Sequence, residues 1–115
     1  MEKFKKLKVW LKAHKLVLET YKLTEKFPAQ EKFSLVSQMK RAAVSIVANI
    51  VEGSKRKTIR DRSHFHTMAE TSLEELKYYF LLSHELGFIS KAEGQDLTEK
   101  AREIGRMITA LSRAL

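Results

Sequence analysis

The sequence predicts an all-α fold, an antiparallel up-down-up-down four-helix bundle formed by one domain, residues 1–115. Long segments carry apolar residues three and four positions apart, which is the spacing that places side chains on one face of a helix. No segment alternates apolar and polar residues as a half-buried strand does. Pro28, Gly53 and Gly87 divide the 115 residues into four segments, and connections this short favour antiparallel neighbours.

The first helix is expected over about residues 8–26. Pro28 disfavours helical geometry at Phe27, so the helix should end before that residue. One apolar stripe along this segment advances by three and four residues, and we expect it to face the core. The stripe consists of Phe4, Leu7, Leu11, His14, Leu18 and Tyr21.

The second helix is expected over about residues 30–52. Gly53 stands at the position where a residue in the left-handed conformation often caps a helix, so we expect the helix to end there. Its core stripe consists of Val36, Met39, Ala43, Ile46 and Ile50.

The third helix is expected over about residues 59–86. Thr58 precedes Asp61 by three residues, a capping sequence in which the hydroxyl accepts from a first-turn N–H, and Gly87 ends the helix. Residues 78–82 are apolar on every side of this helix, which favours self-association of the chain. Its core stripe consists of Phe65, Ala69, Ser72, Leu76, Tyr79, Ser83 and Leu86.

The fourth helix is expected over about residues 91–113. It begins at a second capping sequence, because Ser90 precedes Glu93 by three residues. Its core stripe consists of Leu97, Ala101, Ile104, Ile108, Leu111 and Leu115.

Charge is distributed unevenly along the chain. The 22 Lys and Arg outnumber the 14 Asp and Glu, so the formal net charge is +8. Residues 1–30 and 31–62 each hold eight basic against three acidic residues, or +5, whereas residues 63–115 hold six against eight, or −2. This asymmetry favours a polyanionic partner, RNA or DNA, although net charge also serves solubility.

Composition excludes several classes of protein. The chain has no cysteine, so neither a disulfide framework nor a thiolate metal site can form. It has no run of about 20 apolar residues, and lysines interrupt the beginning of the chain where a secretory signal would be apolar. We therefore expect a cytoplasmic protein that does not contact a membrane.

Metal and phosphate motifs are weak in this sequence. Helical di-iron sites use Glu-x-x-His, and the nearest approach is Asp61 with His64, where Asp61 is better explained as part of a cap. Residues 53–58 end in Lys-Thr as a P-loop does, but they lack its second glycine. We predict no metal and no cofactor.

One enzymatic hypothesis stays open. Arg60 and His66 match the Arg-x(4–6)-His spacing of HEPN-type ribonucleases. In that chemistry His66 would act as acid or base, and Arg60 would stabilise the charge on phosphorus. The alternative explanation is a basic helix start followed by a surface histidine, and we expect a protein without catalytic activity.

A basic segment is the candidate nucleic-acid-binding site. Five of its cations surround the connection between the second and third helices, where Lys57, Arg60 and Arg62 stand at a helix start that disfavours positive charge. Cations placed against the helix dipole suggest a partner, and without interleaved aromatics we expect contacts to the phosphate backbone. The predicted residues are Lys40, Arg41, Lys55, Arg56, Lys57, Arg60 and Arg62.

Motif residues over most of the chain resemble a known family, the four-helix bundles encoded in intervening sequences of bacterial 23S ribosomal RNA genes. Thr71 departs from the pattern, since the family usually has glycine there. The matching residues are Trp10, Ala13, Phe27, Pro28, Glu31, Leu35, Gln38, Arg41, Ala42, Ala43, Ser45, Ile46, Asn49, Ile50, Glu52, Gly53, Ala69, Ser72, Leu73, Glu75 and Leu76.

The resemblance implies a basic bundle that assembles as a ring-like homopentamer and has no established catalytic activity. Relatives include the accessory protein of diversity-generating retroelements, which binds nucleic acid and its reverse transcriptase. A third hypothesis is therefore an adaptor for a protein partner such as a reverse transcriptase. Our leading hypothesis is a nucleic-acid-binding or scaffold protein.

Within the motif, polar residues recur at helical spacing along the second helix. We interpret them as a hydrogen-bonded stripe that sets helix pairing or subunit register, because buried polar groups need partners. The alternative is that Arg41 and Asn49 form a ligand site. The stripe consists of Gln38, Arg41, Ser45, Asn49 and Glu52.

Overall fold

The computed structural model describes residues 7–114, which form four α-helices and, within that range, no strand. A short 3-10 turn, Ala29–Glu31, lies between the first two helices. Phe4 and Leu115, which the sequence assigns to core stripes, lie outside the described residues. The helices are α1 (Lys8–Thr24), α2 (Leu35–Lys55), α3 (Ile59–Glu85) and α4 (Lys91–Arg113).

The core lies between all four helices. Both α1 and α3 pack against α2 and α4, so each helix has two neighbours and turns its apolar side toward the centre. Removing these side chains from water is the main favourable contribution to the stability of such a bundle. The largest apolar side chains buried there are Phe80, Leu16, Met39, Ile46, Leu76, Ile104 and Ile108.

The predicted core stripe of α1 is wrong. Leu11 and Leu18 are 52% and 57% exposed, whereas Leu16 is 1% exposed. A second series, in which Ala13 and Thr20 are small, also advances by three and four residues and faces the core instead. Thr20 satisfies its hydroxyl by donating to the carbonyl of Leu16 at 2.8 Å. The buried residues of α1 are Val9, Ala13, Leu16, Thr20, Leu23 and Thr24.

The predicted role of Gly53 is also wrong. The residue is buried inside α2, which continues to Lys55, and no positive φ is recorded for it. A Cβ atom at this position would lie 3.4 Å from both Phe65 Cβ and His66 Cδ2. Gly53 therefore permits a close approach of α2 to α3. The start of α2 also differs from the prediction, because residues 29–31 form the 3-10 turn.

Local signals at the other helix ends are confirmed. The Thr58 hydroxyl accepts from the backbone N–H of Asp61 at 3.1 Å. Ser90 and Glu93 form a complete capping box at the start of α4. Gly87 has φ +82° and ends α3 in the left-handed conformation that glycine tolerates best.

Candidate nucleic-acid interface

The connection between α2 and α3 is short and basic. Only residues 56–58 separate the two helices, so the cations at the end of α2 lie close in sequence to those at the start of α3. All are exposed except Arg62, which is half-buried. We call these residues the basic turn: Lys55, Arg56, Lys57, Arg60 and Arg62.

Arg56 is held in place by the protein itself. Its Nη2 lies 2.6 Å from Glu52 Oε2, and its guanidinium carbon lies 4.8 Å from the centroid of the Phe65 ring. Both contacts limit the conformations that this side chain can adopt. The sequence places Phe65 in the core stripe of the third helix, and only the packing of α3 against α2 brings its ring beneath Arg56.

Arg62 has a structural role that its place in the sequence does not indicate. Its Nε donates to the backbone carbonyl of Arg56 at 2.8 Å, just beyond the last residue of α2. Carbonyls at a helix C-terminus carry partial negative charge, so a cation there is favourable. The dipole of α3 disfavours Arg62, but the end of α2 supplies a compensating partner, so its position alone does not require a ligand.

The remaining cations of the basic turn have no carboxylate partner within the part of the chain that the structure describes. They are Lys55, Lys57 and Arg60. Two carboxylates are nearby in sequence, Glu52 and Asp61. Five cations against two carboxylates leave a local formal charge of +3 at this end of α2 and α3.

The acidic half of the chain forms its ion pairs elsewhere. The Lys26 ammonium, with the backbone N–H of Ser90 as the next contributor, lowers the pKa of Glu93 to about 2. Glu19, followed by Asp96, raises the pKa of Lys100. The basic turn is therefore not neutralised by α4. The recorded pairs are Lys12–Glu103, Lys26–Glu93, Lys100–Glu19, Lys100–Asp96, Arg102–Glu99, Arg106–Glu99 and Lys77–Glu74.

Lys40 and Arg41 do not belong to the basic turn. Arg41 precedes Lys55 by 14 residues, which corresponds to about 21 Å along the helix axis. Lys40 lies toward α1, where its Nζ is 4.6 Å from the centroid of the Tyr21 ring. Arg41 lies on the α3 side, where it borders a shallow polar depression with Glu75. The seven predicted cations thus occupy three separate surfaces.

The predicted polar stripe lies along the seam between α2 and α3. Ser72 Oγ donates to Ser45 Oγ at 2.8 Å. Asn49 Nδ2 donates to the carbonyl and the hydroxyl of Ser45, at 2.8 and 3.1 Å. These hydrogen bonds involve only the centre of the stripe, Ser45 and Asn49. Gln38 and Arg41, nearer the start of α2, are exposed. Ser45 therefore joins α2 to α3, whereas Asn49 holds the Ser45 side chain from within α2.

The structure separates the two residues of the ribonuclease hypothesis. Arg60 is exposed, whereas His66 is 5% exposed and its Nδ1 lies 2.7 Å from Ser112 Oγ. Six residues along a helix place the two side chains about 120° apart around the axis. Burial lowers the pKa of His66, the charge of Arg62 lowers it further, and Glu70 opposes the shift. The expectation of a surface histidine is wrong.

The described residues show neither a cluster of metal-ligating side chains nor a membrane-spanning helix. Within residues 7–114, no group of three or more histidines or carboxylates could hold a metal ion. No helix over the same range is long and apolar enough to cross a bilayer.

The chain is similar to one protein family and to a solved structure of the same fold. Residues 5–110 match the family described as 23S rRNA-intervening sequence protein. A crystal structure from Bacteroides thetaiotaomicron, a protein of unknown function from the S23 ribosomal protein family, is similar with a TM-score of 0.84 and 20% identity. The match covers 91% of this chain and 95% of that one. At this identity the likeness concerns the fold. No curated protein matches the chain.

Proposed function

This chain belongs to the 23S rRNA-intervening sequence protein family, and we propose that it binds the phosphate backbone of RNA or DNA without catalysing a reaction. One observation carries the proposal. Among the five cations of the basic turn, only Arg56 forms an ion pair with a carboxylate of residues 7–114. When exposed cations without such partners bind phosphates, they displace the counterions around the nucleic acid. This release of counterions is the main source of affinity for the phosphate backbone.

Contacts to the backbone are favoured over contacts to bases. Base stacking needs an accessible aromatic face, and the Phe65 ring at the basic turn is covered by the Arg56 guanidinium. The residues left for the ligand are the exposed cations Lys55, Lys57 and Arg60. We therefore propose binding that depends weakly on sequence and strongly on salt.

We also propose the antiparallel up-down-up-down arrangement and a ring-like homopentamer. Three contacts support the arrangement, because each joins the end of one helix to the beginning of another: Gly53 with Phe65, Lys26 with Glu93, and Ser112 with His66. A pentamer would have a mass of about 66 kDa, five times 13.3 kDa. It would present the basic turn five times, and linked repeats raise avidity.

Salt dependence tests the proposed binding. Fluorescence anisotropy would give the affinity for a labelled RNA and a labelled duplex DNA of arbitrary sequence over a range of salt concentrations. For three to five phosphates neutralised at one turn, log K should fall against log salt with a slope of about −3 to −5 for duplex DNA. Binding that is absent at low salt, or independent of salt, would contradict the proposal.

A charge-reversal variant locates the site. Lys57→Glu combined with Arg60→Glu removes two cations that have no recorded intramolecular role, and a glutamate at position 60 agrees with the dipole of α3. We expect at least a tenfold loss of affinity at low salt with unchanged helicity. Lys32→Glu with Lys91→Glu is the matched control, since it changes the net charge equally with two exposed lysines away from the turn. Equal losses in both variants would indicate a non-specific charge effect.

Two further measurements test the ribonuclease hypothesis and the adaptor hypothesis. RNA that is shortened by the intact protein, but not by the His66→Ala variant, would support the ribonuclease. A protein partner recovered in stoichiometric amount from nuclease-treated lysate would support the adaptor. We expect intact RNA, and we expect the protein partner to be absent after nuclease treatment.

A further inference from the structure

A depression lies between α3 and α4 on the outer side of the bundle. Its volume is about 790 Å³, which is in the range of sites that bind small organic molecules. It follows α3 from Glu74 to His84, or about 15 Å of helix. We call it the α3–α4 depression, and its lining includes Tyr78, Leu81, His84, Lys91, Gln95 and Thr98.

Gly94 leaves room at the base of the α3–α4 depression. It is buried within α4 and belongs to the lining. A Cβ atom at this position would lie 3.6 Å from the carbonyl oxygen of Phe80 and 3.8 Å from His84 Cβ. Gly94 and His84 are therefore opposite each other, and Lys91, about one turn before Gly94, lies at the same end of the depression.

The α3 side of the depression is apolar and accessible. Tyr78 and Leu81 are 57% and 53% exposed, and residues three positions apart are neighbours on the surface of a helix. An exposed aromatic ring offers a flat apolar surface on which a second ring can stack. This side of the depression therefore suits a ligand with a planar apolar part.

The charged groups of the lining leave one cation for a ligand. Lys77 pairs with Glu74 at 2.5 Å, and Arg102 pairs with Glu99 at 3.4 Å. Among the lining cations, Lys91 alone has no carboxylate partner within residues 7–114. It is also the first residue of α4, where the helix dipole disfavours positive charge. An acidic group on the ligand would supply the partner that Lys91 lacks.

Polar groups without hydrogen bonds lie between the apolar side and Lys91. The Nδ1 atom of His84 is enclosed and has no hydrogen-bond partner in the described part of the chain. Over the same residues, the side chains of Gln95 and Thr98 form no hydrogen bond. Buried polar groups are normally paired, and these three side chains can donate to or accept from a ligand.

We infer that the α3–α4 depression binds a planar organic anion, whose rings lie against Tyr78 and Leu81 and whose acidic group pairs with Lys91. A neutral apolar ligand would leave Lys91 without a partner, and an inorganic anion would leave the Tyr78 ring uncovered. Tyr78 follows Arg60 by 18 residues, or about 27 Å along α3. The inferred site is therefore separate from the basic turn and independent of nucleic-acid binding.

Two fluorescent probes test the inference. Anilinonaphthalene sulfonate carries aromatic rings and a sulfonate, whereas phenylnaphthylamine carries similar rings without a charge. In a fluorescence titration of the intact chain, we expect one sulfonate to bind per chain. The neutral probe should bind about three- to fivefold more weakly, because it cannot pair with Lys91. Failure of the sulfonate to bind, or equal affinity for both probes, would overturn the inference.

Substitutions place the probe in the depression. Lys91→Gln should weaken binding of the sulfonate about three- to fivefold, and Tyr78→Ser should weaken it at least about fivefold. Both side chains are exposed, so circular dichroism should show wild-type helicity for both variants.

A second lysine and aromatic pair provides the matched controls. Lys32 Nζ lies 5.4 Å from the centroid of the Phe33 ring, and both residues are exposed outside the depression. Lys32→Gln and Phe33→Ser should therefore keep the wild-type affinity for the sulfonate. Equal losses in these controls, or no loss in Lys91→Gln and Tyr78→Ser, would show that the probe binds elsewhere and would overturn the inference.

Competition distinguishes two sources of a planar organic anion. Naphthoate represents aromatic carboxylates, and adenosine monophosphate represents nucleotides. Displacement of the bound sulfonate by one of them would support the inference and identify the source, whereas displacement by neither would reject the ligand class. Lys91→Gln should bind labelled duplex DNA as the wild type does, so failure of this inference would leave the nucleic-acid proposal to its own measurements.

Discussion

The Nδ1 atom of His66 lies 2.7 Å from the hydroxyl oxygen of Ser112, and this contact joins the first turns of α3 to the last turn of α4. The imidazole is buried beside Gly53, whose missing side chain leaves room for the ring. A histidine that the sequence presents as a surface or catalytic group is thus a packing element between three helices.

His66 should make stability depend on pH. Burial lowers the pKa of its imidazole in the folded protein, whereas the unfolded chain keeps a pKa of about 6.5. As pH falls through that value the unfolded state binds more protons, so the free energy of unfolding decreases until the folded imidazole also titrates. Urea denaturation at pH 7.5 and 5.0 should show a smaller pH effect for His66→Gln than for wild type. An equal pH effect in both proteins would argue against this role.

The orientation of α1 can be tested with two leucines. Leu16 is 1% exposed and Leu18 is 57% exposed. Leu16→Ala should lower the free energy of unfolding by about 2–5 kcal/mol because it opens a cavity in the core. Leu18→Ala should change it by less than about 0.5 kcal/mol. Urea denaturation of both variants beside the wild type measures the two changes. The reverse order of effects would restore the orientation predicted from the sequence.

Two glycines should respond in opposite directions to substitution. A Cβ at Gly105, within α4, would meet nothing nearer than Leu73 Cδ1 at 3.9 Å. Gly105→Ala should therefore stabilise the protein by about 0.5–1 kcal/mol. Gly53→Val adds a branched side chain whose Cβ already lies 3.4 Å from two neighbours on α3, and it should destabilise by about 1–3 kcal/mol. Thermal and urea denaturation check both values.

The ion pair between Glu52 and Arg56 should limit nucleic-acid affinity. Glu52→Gln removes the carboxylate that lies 2.6 Å from the guanidinium and leaves Arg56 over the Phe65 ring. We expect tighter binding and a salt slope that is steeper by up to about 0.9 for duplex DNA, which is the contribution of one phosphate. Glu85→Gln makes the same change in charge away from the turn, and it should leave the slope unchanged.

Short-range chemistry explains why the helices could be predicted. The hydroxyl of Thr58 and the N–H of Asp61 are three residues apart, as are the partners of the Ser90 capping box. Such contacts form within one turn, so the residues that make them stand together in the sequence. Gly87 belongs to the same group, because its positive φ is a property of a single residue.

Long-range packing explains what could not be predicted. Two apolar series with the same spacing run along α1, and only the neighbouring helices decide that Leu16 faces the core while Leu18 faces outward. The partner of Arg62 is the carbonyl of Arg56, just beyond the end of α2, and the ring beneath Arg56 comes from α3.

The sequence by itself determined the number of helices, most of their ends and the basic character of the α2–α3 connection. These depend on periodicity, caps and charge, all of which are local. Only the tertiary structure decided which face of α1 is buried, which cations keep no carboxylate partner, and that His66 is enclosed. Each of those outcomes depends on a contact between residues far apart in the chain, where burial and distance, not spacing in sequence, set the energy.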